Sequence, residues 1–430
     1  MTLTPEQRAR GRRNFLKAMA GVPALATLGA TAALRGPLRG GPVRTGIIGP
    51  GRQGKVLLGQ CRPNFVDLRA ICDINPHHRQ EAADALVTLG WPRPALYEDW
   101  REMLAKEDLE AVLIATPLWS HAEIAVGALA TGHHVLVEKM MAYDLEGCWR
   151  MAEEARRQRR VLEIGYNRFY APHYQAAYGH VIKPGLIGDI YHVRLMYHRN
   201  RSWRRDIKPP SPDYSPARWG YPTWDHLANW RLYRTYSQGL VAELGGHQIG
   251  TTCQFLDSVP TAALGSGGIH RFTDREVNDH VYVIFEYPGG RTVTFSSIES
   301  NDFDHITEQF MGTKGTLIFG REGDAMLFTD DDEPTSFKTT PRDDNAVVEA
   351  SESRLADARG ETVERAQVGN GGDEDRLLPY RLEIQTFCSA IRVGTDLRCG
   401  VDMASHIAAA CLAANQAIAS GTRVPVATAT

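Results

Sequence analysis

The sequence predicts a two-domain α/β protein, with an N-terminal doubly wound parallel sheet (a Rossmann arrangement) followed by an α/β domain built on a large, open, mostly antiparallel sheet. Three observations carry this. Short β-rich runs alternate with helical stretches from residue 43 to about 165, glycines cluster at the first strand-to-helix junction, and beyond residue 188 longer strands join through tight glycine turns. Alternation at that spacing requires parallel strands with crossover helices on both faces. Tight hairpins require antiparallel neighbours. At 430 residues, 43% of them hydrophobic, the chain is long enough for two cores of ordinary size.

Taken in order, Val43–Ile48 reads as a strand running into Gly49, Gly51 and Gly54, with a helical pattern through Lys55, Val56, Leu57 and Leu58. VDLRAICD (66–73) is a strand, Arg79–Leu89 a polar helix, LEAVLIATP (109–117) a strand, His121–Ala130 a helix and HHVLVEK (133–139) a strand. From GDIYHVRLMYHRN (188–200) the texture becomes antiparallel. Two hairpins follow, HVYVIFEYPGGRTVTFSSIES (280–300) turning at Pro288-Gly289-Gly290 and ITEQFMGTKGTLIFG (306–320) at Lys314-Gly315. A helix over about 240–256 precedes them. Residues 331–376 hold few large apolar groups, which predicts a flexible acidic insert. Terminal helices from Tyr380 to Ser420 present Phe387, Ile391, Ile407, Ala410 and Leu412 for packing back on the domains. The expected division is 1–42 leader and linker, 43–165 first domain, 166–330 second domain, 331–376 insert and 377–430 terminal helices.

The 48 basic and 51 acidic residues are interspersed and leave a formal charge of −3, so the overall field favours neither nucleic acid nor an anionic membrane as partner. A small neutral or weakly charged ligand fits better. The 7 cysteines lack Cys-x-x-Cys spacing, and neither a zinc knuckle nor a disulfide framework is expected. Near the N-terminus, Arg12-Arg13-Asn14-Phe15-Leu16-Lys17 precedes a weakly apolar stretch from Ala18 to Leu34, with Ala30-Thr31-Ala32 as a cleavage candidate. This is similar to a twin-arginine signal, which implies the twin-arginine export machinery as a partner and a periplasmic destination for a chain already folded. The stretch contains Pro23 and is short for a membrane span.

The glycines define a nucleotide site. Gly49-x-Gly51-x-x-Gly54 follows a strand and opens a helix: the first glycine permits the turn, the second leaves room for a pyrophosphate, and the third lets helix and strand approach. Arg52 and Gln53 sit within that cradle. Asp73 ends the second strand, where a carboxylate can accept ribose hydroxyls and would repel a 2′-phosphate, so NAD is expected over NADP despite Arg79 nearby. Thr116-Pro117 and Glu138-Lys139 end two further strands at the edge where such sheets bind ligands.

Together with ATPLWSHAEIA, VLVEK, GYNRFY and NWRLYRTYSQGLVAELGGHQIG, these residues resemble the glucose-fructose oxidoreductase / inositol dehydrogenase / rhizopine-catabolism (Gfo/Idh/MocA) family over about 43–330 plus the terminal helices. The resemblance implies a Rossmann domain joined to an open-sheet domain, and homodimers or homotetramers packed through that sheet. It places His121 and Asn167 with Thr116, Pro117 and Glu138 around the cofactor. It also puts Lys139, from the family's Glu-Lys-Pro motif, beside the reacting hydroxyl; here Met140 stands where proline is usual. Glu243 and His247 occupy the family's Asp-x-x-x-His pattern.

Read from the residues themselves, Glu243 and His247 are spaced i,i+4 on one helix face, so the carboxylate could orient the imidazole while the imidazole exchanges a proton with a hydroxyl. A zinc reading of the same pair needs further ligands, His192 or His198, which the sequence does not bring near, and no metal is expected. Tyr166, Arg168, Trp230, Arg231 and Tyr236 suit a small carbohydrate, rings stacking on its apolar face and donors meeting its hydroxyls.

Export of a nicotinamide enzyme implies that NAD leaves the cell tightly bound and is restored within each cycle or by a second substrate. That expectation leads to a sugar oxidoreductase. The sharper alternative is a redox-neutral glycoside hydrolase that oxidises, eliminates, adds water and reduces back, as NAD-dependent glycosidases that look like this family do. A non-catalytic sugar-binding protein is the third alternative, to which Met140 and Glu243 would point.

Overall fold

The computed structural model describes residues 3–20, 38–320, 324–329, 338–342, 345–349 and 373–427. Six strands form the first sheet: β1 (Val43–Ile48), β2 (Val66–Cys72), β3 (Ala95–Tyr97), β4 (Ala111–Ile114), β5 (His134–Glu138) and β6 (Leu162–Gly165). All pair in parallel, in the order β3-β2-β1-β4-β5-β6. Helices cover both faces, so β4 and β6 are buried at every position and read as unbroken apolar runs. The chain reverses its winding between β1 and β4, which opens a crevice at their carboxyl ends.

The second sheet contains β7 (Ile190–Asn200), β8 (Ala262–Gly268), β9 (His280–Tyr287), β10 (Arg291–Ile298), β11 (Ser300–Gly312), β12 (Gly315–Gly320) and β13 (Asp324–Thr329). Two short strands, β14 (Lys338–Arg342) and β15 (Asn345–Glu349), pair only with each other, and β16 (Val424–Pro425) closes the large sheet, ordered β13-β12-β11-β7-β10-β9-β8-β16. Its pairs are antiparallel except β7 with β10. Alternate residues of β9 are buried on one face, while Tyr282 and Ile284 stand exposed on the other. Both hairpins form where the sequence places them. Most of the expected insert at 331–376 lies outside the described residues.

Several elements escape the sequence reading, among them the helix Trp100–Lys106, β6, β8, β13 and the two that follow. Leu145–Gln158 is a helix whose Asp144 cap accepts from Gly147 N at 2.7 Å; its charged face masks a buried stripe of Cys148, Met151, Ala152 and Ala155. The short strand β3 lies at the sheet edge with no residue fully buried. The helix expected at 240–256 starts as a widened π-turn, Val241–Gly245, before continuing as Gly246–Leu256.

The terminal helices return to the domains. Asp373–Val393 sets Ile384, Phe387 and Cys388 into a cluster with Leu57, Phe65 and Leu86, and Arg392 forks onto Glu110 at 2.7 Å, holding that carboxyl down to about 2. Val401–Ser420 packs its alanine-rich face into the other core. Within the expected leader, Pro5–Ala20 forms a helix laid against β13, with Phe15 buried and Arg12 paired to Asp324. No helix among the described residues is long and apolar enough to cross a membrane.

Candidate active site

A cavity of about 1220 Å³ occupies the crevice above β1, β4 and β5 and extends beneath β7 and the 241–256 helix. It exceeds the roughly 300–1,000 Å³ of a drug-sized site, leaving room for a dinucleotide and a second molecule. Gly49 has φ +83°, and a Cβ there would lie 2.9 Å from Ala115 C and from Thr116 N. Only glycine fits that turn. At Gly54 a Cβ would meet Gly49 O at 2.4 Å, so the loop can close on the helix Arg52–Gln60 only because both are bare. The helix N-terminus faces the cavity, with Gly51, Arg52 and Gln53 on its wall, a donor arrangement that suits a pyrophosphate. Asp73 lies on the same wall; its Oδ1 accepts from Asn75 N at 2.7 Å and its Oδ2 sits 3.1 Å from His78 Nδ1. Arg79 donates to the main-chain carbonyl of Asp73. It is thus held back to the strand end. These residues fit an NAD adenosine and pyrophosphate.

The strand ends are tied together beneath the cradle. Gln53 Nε2 donates to Glu138 Oε1 at 2.8 Å, and burial pushes the Glu138 carboxyl above its ordinary range. Thr116, Pro117 and Asn167 line the cavity. His121, expected as a cofactor contact, has Nδ1 3.0 Å from Met140 O and Nε2 3.0 Å from Thr116 O, so both ring nitrogens face backbone rather than ligand. The ring braces the ends of β4 and β5.

Lys139 follows β5 directly, and the Lys139–Met140 peptide bond is cis. Its Nζ donates to the main-chain carbonyl of Glu243 at 2.8 Å. Burial pulls the lysine pKa below its ordinary value, partly opposed by Glu243 and Glu138. The expected carboxylate–imidazole pair does not form. Glu243 Oε2 instead accepts from Arg231 Nε at 2.9 Å, because the π-turn brings this carboxylate against the 230–232 turn. His247 keeps a buried Nδ1 without a partner among the described residues, and the residue lines the cavity, so proton exchange with a ligand falls to Nε2. Burial, reinforced by Lys139 and Arg168, lowers its pKa well below the ordinary value and keeps it neutral.

Two expected substrate residues are placed elsewhere. Tyr166 is 1% exposed and stands edge-on behind His247, ring centroids 6.3 Å apart. Tyr236 is buried, bonded through its hydroxyl to Gly220 O at 2.9 Å. Both aromatics are consumed by packing. Arg168, Trp230 and Arg231 do line the cavity, Arg168 held by buried Glu308 and the Arg231 guanidinium 4.2 Å from the Trp230 ring.

The sequence offers no motif for the segment 201–228, which crosses the cavity mouth. Tyr214 donates to Ile74 O at 3.0 Å, Arg218 pairs with Glu98, and Trp119 Nε1 donates to Tyr221 at 2.7 Å, tying this segment of the second domain to the first. Its Pro-rich polar character gave no periodic signal. Its density of tryptophan, at 203, 219 and 224, could have marked it.

Two family models match the chain. Residues 43–166 match the family model for an oxidoreductase family with an NAD-binding Rossmann fold, and residues 176–318 match a Gfo/Idh/MocA C-terminal domain. Among curated proteins, a glycosyl hydrolase family 109 protein of Shewanella pealeana is 28% identical over 231 residues, covering 52% of this chain and 49% of its own length. An alpha-N-acetylgalactosaminidase of Shewanella oneidensis is 28% identical over 229 residues, 52% of this chain and 48% of its own. The chain spans about half the length of these relatives. A solved levoglucosan dehydrogenase in complex with NADH and L-sorbose has a TM-score of 0.67 at 21% identity, covering 90% of this chain and 100% of that one. That likeness is one of fold.

Proposed function

This chain belongs to the Gfo/Idh/MocA family, and from that premise we propose that it is an NAD-dependent enzyme of sugars or sugar derivatives. The observation that carries this reading is the meeting of Lys139 Nζ, Glu243 O and the His247 ring on one cavity wall, facing the glycine cradle. Bound NAD would accept or return a hydride at a substrate carbon. Lys139, with a lowered pKa and a fixed carbonyl partner, positions a donor toward the substrate oxygen. His247, neutral and open through Nε2, takes or returns the hydroxyl proton. Arg231 and Trp230 border the sugar, Arg231 locked by Glu243. Gly49, Gly51, Gly54 and Asp73 hold the cofactor. Mixing purified protein with a monosaccharide panel tests this: some sugar should change the near-ultraviolet nicotinamide band in the native chain and not in Lys139→Met, and a band indifferent to every sugar contradicts it.

A second reading, redox-neutral glycoside cleavage, is favoured by the names of the curated relatives. It expects release of nitrophenol from a nitrophenyl glycoside without added acceptor, and no release across α- and β-linked panels counts against it. We also propose export by the twin-arginine route, supported by Arg12-Arg13-Asn14-Phe15-Leu16-Lys17, and self-association through the open sheet, supported by exposed Tyr191, Tyr282 and Ile284.

A further inference from the structure

The overall charge of the chain is near neutral, but the cavity is not. Six of its wall arginines, at 101, 168, 199, 204, 218 and 231, each face a carboxylate. Arg205, like Arg52 at the glycine cradle, has no such pairing among the described residues. Its guanidinium lines the cavity and makes no hydrogen bond or ion pair among the described residues. Its backbone is held from both sides by buried Asn229, whose Oδ1 accepts from Arg205 N at 2.7 Å while its Nδ2 donates to Arg205 O at 3.2 Å. Asn229 stands two residues before Arg231, so the clamp fixes Arg205 beside the Arg231–Glu243 pair. Burial together with the charges of Arg231 and Arg52 pulls Arg205 down to about 10, with no acid acting the other way. Arg201, at the rim of the same cavity, also lacks a carboxylate partner among the described residues.

A partly desolvated cation on a clamped backbone, without a counter-charge, is costly unless a ligand supplies one. We propose that Arg205, aided by Arg201, receives an oxyanion carried by the substrate, so that the sugar bound here bears a carboxylate, sulfate or phosphate group. The planar fork of arginine suits each of these. The inference rests on the reading of the cavity as a sugar site. The competing source of the same chemistry is the cofactor pyrophosphate, since the charge of Arg52 in the glycine cradle also acts on Arg205.

The test titrates NAD-loaded protein, by tryptophan fluorescence or calorimetry, with gluco- and galacto-configured monosaccharides, each neutral, carboxylated at C6 or sulfated at O6. At least one anionic sugar should bind about 10-fold or more tightly than its neutral counterpart, with affinity falling as salt rises. Arg205→Gln should erase that difference, Arg205→Lys should restore part of it, and NAD affinity should change by less than about 2-fold in either. Equal binding of neutral and anionic sugars overturns the proposal and leaves the sugar reading standing. A large loss of NAD affinity in Arg205→Gln assigns the cation to the pyrophosphate and also overturns it. Binding of no sugar at all removes both.

Discussion

Lys139 Nζ lies 2.8 Å from the main-chain carbonyl of Glu243, while the Glu243 side chain turns away to Arg231. The lysine is therefore positioned by the backbone of a π-turn, and the carboxylate positions a different cation. Separate phenotypes follow for the two residues. Lys139→Met is expected to cut turnover by about 10²–10⁴-fold with the fold intact by circular dichroism. Glu243→Gln, which keeps the carbonyl, should chiefly raise KM by about 10-fold through a loosened Arg231. Equal losses of kcat in both variants would place the carboxylate in the chemistry.

His247 has no carboxylate partner among the described residues, and burial lowers its pKa well below the ordinary value. Because its pKa is lowered, it remains a neutral base as pH falls through the usual histidine range. The acidic limb of kcat/KM is expected below pH 6.5 and unmoved by Glu243→Gln. A limb at ordinary histidine pH that vanishes in His247→Gln would contradict this.

Tyr214 and Arg218 hold the mouth segment to Ile74 and Glu98 at the adenosine end of the cavity. Removing both ties, in Tyr214→Phe with Glu98→Gln, should speed NAD dissociation by about 10-fold while single-turnover rates stay near those of the native chain. Unchanged dissociation would show the segment to be ornamental to cofactor retention.

Glu163 is fully buried on β6, held among the described residues only by Tyr170 at 2.7 Å on one oxygen, and burial pushes it from 4.5 up to about 8. The folded chain thus keeps a proton that the unfolded chain releases. Stability is greatest below pH 4.5 as far as this group is concerned, falls as pH rises from 4.5 to about 8, and levels off above. Glu383, also fully buried and raised, acts in the same direction. Urea midpoints should fall between pH 5 and 8, less steeply in Glu163→Gln; parallel slopes for the two proteins would refute the assignment.

The parallel sheet was legible because β4 and β5 are buried on both faces and carry runs of apolar residues, Ala111–Ile114 and Val135–Val137. The glycine cradle was legible because backbone conformation at Gly49 and close approach at Gly54 admit nothing larger. What misled was orientation. Glu243 and His247 share a helix face by spacing, but the preceding π-turn and the charge of Arg231 decide where the carboxylate goes. Tyr166 and Tyr236 read equally well as ligand platforms or core, and long-range packing against His247 and Gly220 chose core. Arg205 was invisible for the same reason: its significance is the partner it lacks in three dimensions.

The account depends on a nicotinamide dinucleotide seated in the crevice between β1 and β4. Protein purified natively without added nucleotide should, on denaturation, yield about one nicotinamide per chain, or regain it when stripped and resupplied with NAD. Protein that carries none and takes up none would contradict the central claim.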